Sequence, residues 1–205
     1  MPTTTPVRFL ALGDSYTIGE AVLESERWPV QLAALLRASG VQIDEPQIIA
    51  KTGWTTDELL AAIDRAEPRG PFELVSLLIG VNNQYRGRTA ENYRPEFVAL
   101  LERAINFAGG QPGRVLVLSI PDWGVTPFAN LDRRGGIGPE IDAFNAVNRE
   151  ETARLGARYV DVTPTSRRAP AEPDLIASDG LHPSGRMYAE WAQLAFPEAC
   201  KALKN

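Results

Sequence analysis

Short apolar runs that end abruptly at glycine or proline alternate along this chain with longer stretches whose apolar residues recur at helical spacing. Residues 7–12 form a compact apolar run that stops at Gly13-Asp14, as a buried strand does. Residues 28–38 then carry the helical period and end before Gly40. The pattern repeats: a strand over 47–50 and a helix over 56–65, then a strand over 74–79 and a helix over 93–107. A strand over 114–120 precedes a helix over 141–155, and a strand over 158–162 precedes a last helix over 184–195.

The strands read as continuous Val, Ile and Leu runs rather than as alternating apolar and polar residues. That is the mark of a parallel sheet covered on both faces. With right-handed crossovers, the expectation is an α/β fold, a three-layer α/β/α sandwich around a five-stranded parallel sheet. The expected strand order is the flavodoxin-like 2-1-3-4-5. No repeat, low-complexity tract or charge run marks a boundary, so residues 7–205 read as one domain. Ahead of it lies a polar Thr/Pro segment, residues 1–6, read as a flexible tail. Two connections, 121–139 and 163–178, are long for a compact domain, and such loops are usually functional or mobile.

Composition narrows the function. The net charge of −5, with basic residues scattered except for Arg167-Arg168, argues against a surface for nucleic acid or anionic membrane. Cys200 is the only cysteine and His182 the only histidine, so intrachain disulfides, cysteine zinc sites and paired-histidine metal motifs are all impossible. Residues 1–6 lack the charged and apolar regions of a signal peptide, and no run is long enough to span a bilayer. The expectation is a cytoplasmic protein with no stable membrane association and no metal or organic cofactor.

In an open parallel sheet, ligands bind beyond the C-terminal ends of the strands. After the first strand comes Gly13-Asp14-Ser15-Tyr16, and after the second Thr52-Gly53-Trp54. Gly80-Val81-Asn82-Asn83 follows the third, Pro121-Asp122-Trp123 the fourth, and Asp179-Gly180-Leu181-His182-Pro183 comes past the fifth. One sheet edge thus receives a hydroxyl, a glycine, a carboxamide and a carboxylate–imidazole pair. A serine hydroxyl becomes nucleophilic when a base takes its proton, and imidazole suits that task near neutral pH. The base needs an acceptor for its other ring proton, which Asp179, three residues earlier, is placed to supply. Pro183 biases His182 away from helical geometry and suits the first turn of the last helix. The Ser15 amide, the Gly53 amide and the Asn82 side chain are candidate donors to a developing oxyanion. Asp14 reads as a structural residue that holds the turn.

These blocks resemble the SGNH (GDSL-type) esterase and lipase family. Gly13-Asp14-Ser15-Tyr16 matches its nucleophile block, with tyrosine at the leucine position. Gly53 matches its second-block glycine, Gly80-Val81-Asn82 its Gly-x-Asn-Asp block and Asp179 to His182 its Asp-x-x-His block. The resemblance spans nearly the whole chain, in the family's order. It implies Ser15 as nucleophile, His182 as base, Asp179 as its partner, and Gly53 and Asn82 as oxyanion donors, in a carboxylic ester hydrolase; the modest size and the lack of a lipid-anchoring signal favour short acyl esters over bulk lipid. Asn83 departs from the family's aspartate, which bears on the hydrogen bonding around the oxyanion donor. The Tyr16 side chain has no need to touch substrate.

Other functions are compatible with parts of this pattern. An acyltransferase shares the acyl-enzyme half-reaction. A binding module of the same fold would recognise esters or glycans without turnover, and a flavodoxin-like cofactor binder shares the expected fold. The Gly-x-Ser-x-Gly elbow and the phosphate-binding Gly-x-x-x-x-Gly-Lys-Ser/Thr motif are both missing. Trp54, Tyr85, Trp123 and Phe128 follow strands that bear the site and are candidates either for a pocket wall or for core packing. Acyl-chain length, leaving group and oligomeric state are not encoded in any of these motifs.

Overall fold

The computed structural model describes residues 5–132 and 135–204. Among the described residues, strands β1 (Phe9–Gly13), β2 (Gln47–Ala50), β3 (Leu74–Leu78), β4 (Val115–Leu118) and β5 (Arg158–Val160) form one sheet. All its pairings are parallel and its order is β2-β1-β3-β4-β5, as expected from the run pattern. The helices are α1 (Ser15–Ile18), α2 (Trp28–Ala38), α3 (Thr56–Ala66), α4 (Val81–Tyr85), α5 (Ala90–Phe107), α6 (Pro127–Asp132), α7 (Ile137–Leu155), α8 (Thr163–Ser166) and α9 (Gly185–Ala202).

Chain direction across the sheet explains the layers. The step from β1 to β2 runs one way and the later steps run the other, so right-handed crossovers send α2 to one face and α3, α5 and α7 to the opposite face. α9 returns to the α2 side and packs on α2, β4 and β5, while α5 packs between α3 and α7. Trp28, Leu32 and Leu36 of α2 meet Tyr188, Trp191 and Ala195 of α9 in one half of the core. Leu59 and Ile63 of α3 with Tyr93, Phe97, Leu100 and Leu101 of α5 fill the other half. Each such large apolar side chain contributes about 1.5–3 kcal/mol by leaving water. Every residue of β1, β3 and β4 is buried, which is why these strands carry no polar alternation.

Several boundaries differ from the sequence reading. α5 begins at Ala90 rather than at residue 93, and α7 at Ile137 rather than 141. α9 runs past residue 195 to Ala202 despite Pro197. Pro95 and Pro197 are both exposed, so the carbonyls that lose a donor face water. Ala195, Ala199 and Ala202 keep the buried stripe of α9 going. The two long connections are not unstructured: the first carries a 3₁₀ turn (Trp123–Val125), α6 and the start of α7, and the second carries α8 and a 3₁₀ turn (Pro173–Leu175). Of the N-terminal segment, Thr5 and Pro6 are exposed and without regular structure, while residues 1–4 lie outside the described residues.

Candidate active site

β1 ends at Gly13, level with Leu78 of β3 and Ala50 of β2. A Cβ on Gly13 would stand 2.5 Å from the Leu78 carbonyl oxygen, so the tight exit from the strand admits glycine alone. The chain turns directly into α1, capped by Asp14, whose Oδ1 accepts the Tyr16 N–H at 3.1 Å. Ser15 is therefore the first residue of a helix at the C-terminal edge of the sheet. Its own N–H has no acceptor four residues back and is available to a ligand.

Asp14 is wholly buried, and its Oδ2 has no hydrogen-bond partner among the described residues. Burial outweighs the hydrogen bonds from the Tyr16 amide and its own amide, and pushes the carboxyl up to about 7. An unfolded aspartate titrates near 3.9, so the fold favours the protonated form. The stabilisation that follows is fully present below about pH 4 and is lost as pH rises to about 7. Asp14→Asn keeps an acceptor for Tyr16 and cannot ionise. Its urea midpoint is expected to gain on that of wild type between about pH 5 and pH 8. Parallel pH profiles for the two proteins would refute a costly ionisation at Asp14.

His182 lies on the loop between β5 and α9. Its carbonyl accepts the Ala177 N–H at 2.8 Å, and Pro183 forms an antiparallel bridge with Ile176. This corrects the placement of Pro183 in the first helical turn: α9 starts at Gly185 behind the cap Ser184. The bridge, rather than the helix, holds the histidine. Asp179 Oδ2 lies 2.6 Å from His182 Nδ1, and Asp179 Oδ1 accepts the backbone N–H groups of Leu181 at 2.9 Å and His182 at 3.0 Å. Partial burial raises the Asp179 carboxyl, but the imidazole and the two amides outweigh it and hold the group below its ordinary value. A carboxylate opposite Nδ1 requires the ring proton there, which leaves Nε2 as the acceptor. The Tyr16 ring packs edge-on against His182 with centroids 5.8 Å apart, and against Trp191 at 6.2 Å.

Gly53 is the third residue of a turn closed by Trp54 N–H to the Lys51 carbonyl at 3.3 Å, with φ at +86°. Positive φ at that position is what a type II turn demands of a glycine. Asn82, in the first turn of α4, donates from Nδ2 to the Trp54 carbonyl at 2.9 Å. One of its two amide protons is thereby used to orient the side chain, and one remains. Asn83 is fully buried: its Oδ1 accepts the Thr56 N–H at 3.1 Å and its Nδ2 donates to Thr56 Oγ1 at 2.6 Å. Nδ2 also lies 3.4 Å from Glu96 Oε2. A carboxylate there would face Glu96; the carboxamide donates to it, which accounts for this departure from the family pattern.

Ser15, Gly53, Asn82 and His182 line one cavity of about 200 Å³. Asp179 stands behind His182 and does not line it. Tyr85, Trp123 and Phe128 do, whereas Trp54 contributes its carbonyl instead. Tyr16 also lines the cavity. The indole of Trp123 donates to Gln84 Oε1 at 2.8 Å, and Gln84 Nε2 donates to Glu140 at 2.6 Å. Rings of Tyr85 and Phe128 flank Trp123 at 5.5 and 6.1 Å. Gln84 and Arg86 were not singled out by the sequence; both follow Asn82 on α4, a helix too short to show a period. Among the described residues no group of three or more His, Cys, Asp or Glu side chains is arranged to hold a metal. No helix among them is long and apolar enough to cross a membrane.

Comparison with known proteins gives a match to the model of the GDSL-like lipase/acylhydrolase family over residues 11–190. None of the curated proteins matches the sequence. Solved structures with the same fold include the psychrotrophic esterase EstA from Pseudoalteromonas sp., inhibited by monoethylphosphonate, with TM-score 0.70 and 18% identity over 97% of this chain and 99% of that one. Axe2, an acetylxylan esterase from Geobacillus stearothermophilus, aligns with TM-score 0.72 and 16% identity over 97% of this chain and 96% of that one. A member of the lipolytic protein G-D-S-L family from Veillonella parvula gives TM-score 0.70 and 17% identity over 93% and 97%. At these identities the likeness to the three structures is one of fold.

Proposed function

The chain belongs to the GDSL-like lipase/acylhydrolase family and is a carboxylic ester hydrolase of that type, and from this premise we propose that it cleaves short acyl esters through an acyl-enzyme on Ser15. The observation that carries the proposal is His182, paired with Asp179 at 2.6 Å, lining the same small cavity as Ser15. Ser15 Oγ attacks the ester carbonyl as His182 Nε2 takes its proton, and Asp179 stabilises the imidazolium that forms. The Ser15 amide, the Gly53 amide and Asn82 Nδ2 receive the oxyanion of the tetrahedral intermediate. The imidazolium then protonates the leaving alcohol. In the second half-reaction the imidazole takes a proton from water as the hydroxide adds to the acyl carbonyl; the intermediate then expels Ser15 Oγ, which takes that proton back from the imidazolium, and the acid leaves.

Cavity size favours a short acyl group. At about 200 Å³ it falls below the ~300–1,000 Å³ usual for drug-sized ligands. Its wall of Tyr85, Trp123 and Phe128 is apolar, and Trp123 is held by the chain through Gln84 to Glu140. That an acetylxylan esterase shares the fold supports the same end of the range.

The test is hydrolysis of nitrophenyl esters from acetate to palmitate by wild type and Asn82→Ala. Acetate and butyrate are expected to turn over fastest. Asn82→Ala is expected to lower kcat by about 10²–10³-fold at every chain length, because the oxyanion is common to all of them. A preference for palmitate would defeat the short-acyl assignment. Full kcat in the variant would remove Asn82 from the oxyanion site.

A further inference from the structure

A Cβ built on Gly53 meets no atom within 4 Å. Its glycine identity is therefore a matter of backbone angle, φ +86°, and not of crowding. The turn that contains it is closed by a single long hydrogen bond of 3.3 Å. The N–H that would meet the oxyanion belongs to the central peptide of that turn, the part that reverses direction when a type II turn converts to type I. That peptide's own carbonyl is Thr52's; the Gly53 and Trp54 carbonyls follow it, and what holds them fixes the residue from which the Gly53 amide projects.

Asn82 of α4 and Arg86, which caps it, hold these two carbonyls. Asn82 Nδ2 takes the Trp54 carbonyl at 2.9 Å, and Arg86 Nη2 takes the Gly53 carbonyl itself at 2.8 Å. Arg86 caps α4, its N–H bonded to the Asn82 carbonyl at 3.0 Å, so the two residues stand four apart on one helical face. The guanidinium is anchored in turn. Its nitrogens lie 3.1 and 3.3 Å from the two carboxylate oxygens of Glu58, and Glu58 Oε2 accepts the Thr55 N–H at 2.9 Å. Planar five-donor geometry lets arginine grip a carboxylate and a carbonyl together, which a lysine ammonium does less well. Arg86 is half-exposed, so its value lies in direction more than in stability.

We propose that Arg86 is a positioning residue for ester hydrolysis: itself anchored on Glu58, it holds the Gly53 carbonyl and so keeps Gly53 in the backbone placement that directs its amide to the oxyanion. The inference rests on the Ser15 mechanism proposed above and assigns to it a residue outside the cavity. An amide fixed for the oxyanion serves the transition state more than the bound ester, so the effect belongs in kcat.

The experiment compares wild type, Arg86→Ala, Arg86→Lys, Glu58→Gln and Ser15→Ala on nitrophenyl acetate, with thermal melting of each protein. Arg86→Ala is expected to lower kcat by about tenfold or more, short of the 10²–10³-fold for losing a donor outright, with KM within about twofold and melting near wild type. Arg86→Lys should recover part of kcat. Glu58→Gln, which removes the anchor and leaves the guanidinium, should lose less than Arg86→Ala in the same parameter. Wild-type kcat in Arg86→Ala, or a loss confined to KM, would overturn the positioning role. If Arg86→Ala fails to melt cooperatively, unchanged kcat in both Arg86→Lys and Glu58→Gln overturns it as well. Activity that persists in Ser15→Ala would bring down the serine mechanism and this role together, whereas its loss there beside an unaffected Arg86→Ala would bring down this role alone.

Discussion

Ser15→Ala and His182→Ala are each expected to lower ester turnover by about 10⁴-fold or more, with the fold intact. Ser15→Ala removes one hydroxyl from the start of α1; the caps that form the turn, Asp14 before it and Gly19 after it, remain. His182→Ala leaves the loop bridge at Ile176 and Pro183 in place, because that bridge is made by backbone. Both losses fall on the same proton transfer, so the double variant should be scarcely worse than either single one. Residual rate in all three would come from the oxyanion donors and from binding. The measurement is kcat on nitrophenyl acetate for the four proteins beside their melting curves. Near-normal turnover in either single variant would end the acyl-enzyme proposal. Losses that multiply in the double variant would mean that the two residues serve different steps.

The sheet was legible because burial on both faces leaves a plain trace. β1, β3 and β4 have no exposed side to record, so each reads as an apolar block with a glycine or proline at its end. α2 was legible to the residue for the opposite reason: it is two-faced, with Trp28, Leu32 and Leu36 inward. What escaped were the short helices. α1, α4 and α8 span four or five residues, little more than one turn, and a 3.6-residue period cannot be read over one turn. They are held by tertiary contacts and caps rather than by propensity. Pro197 concealed the last turns of α9, since a proline in a helix interior usually ends it.

The site divides in the same way. Ser15, Gly53, Asn82 and His182 follow four different strands, and the rule that ligands sit at the C-terminal strand edge brings them to one cavity without coordinates. Asp179 was legible from local spacing. Arg86 and Gln84 were not, because their roles depend on facing the 51–58 segment and α7 across space. Tyr16 could be read only as a neighbour of the nucleophile. Its edge-on packing against His182 depends on α1 and the loop before α9 meeting at the sheet edge. The residues proposed to bear the chemistry are thus readable in sequence, and those proposed to aim them only in the packing.

Asp179→Asn, although nearly isosteric, is expected to lower kcat by about 10³–10⁴-fold. Two backbone amides, Leu181 at 2.9 Å and His182 at 3.0 Å, need an acceptor at the Oδ1 position. An asparagine must place its oxygen there, because its amide nitrogen offers them only protons. The amide nitrogen then takes the place of Oδ2, 2.6 Å from His182 Nδ1 in the wild type, and forces Nδ1 to accept. The ring proton moves to Nε2, and a base protonated on the side that faces Ser15 cannot take its hydrogen. Asp179→Ala imposes no such tautomer, so the asparagine variant should be at least as impaired as the alanine one. A side-chain role limited to packing predicts the reverse order. In wild type the hydrogen bonds that keep the Asp179 carboxyl below its ordinary value favour the fold above the unfolded pKa of about 3.9, and that contribution is lost as pH falls through the folded value. Asp179 is accordingly ionised wherever the imidazole works as a base. His182 is the only histidine, so the ring ¹⁵N signals of histidine-labelled protein report on it alone. They should show the proton on Nδ1 in wild type and on Nε2 in Asp179→Asn. The same tautomer in both proteins would mean that Asp179 does not set the direction of proton transfer.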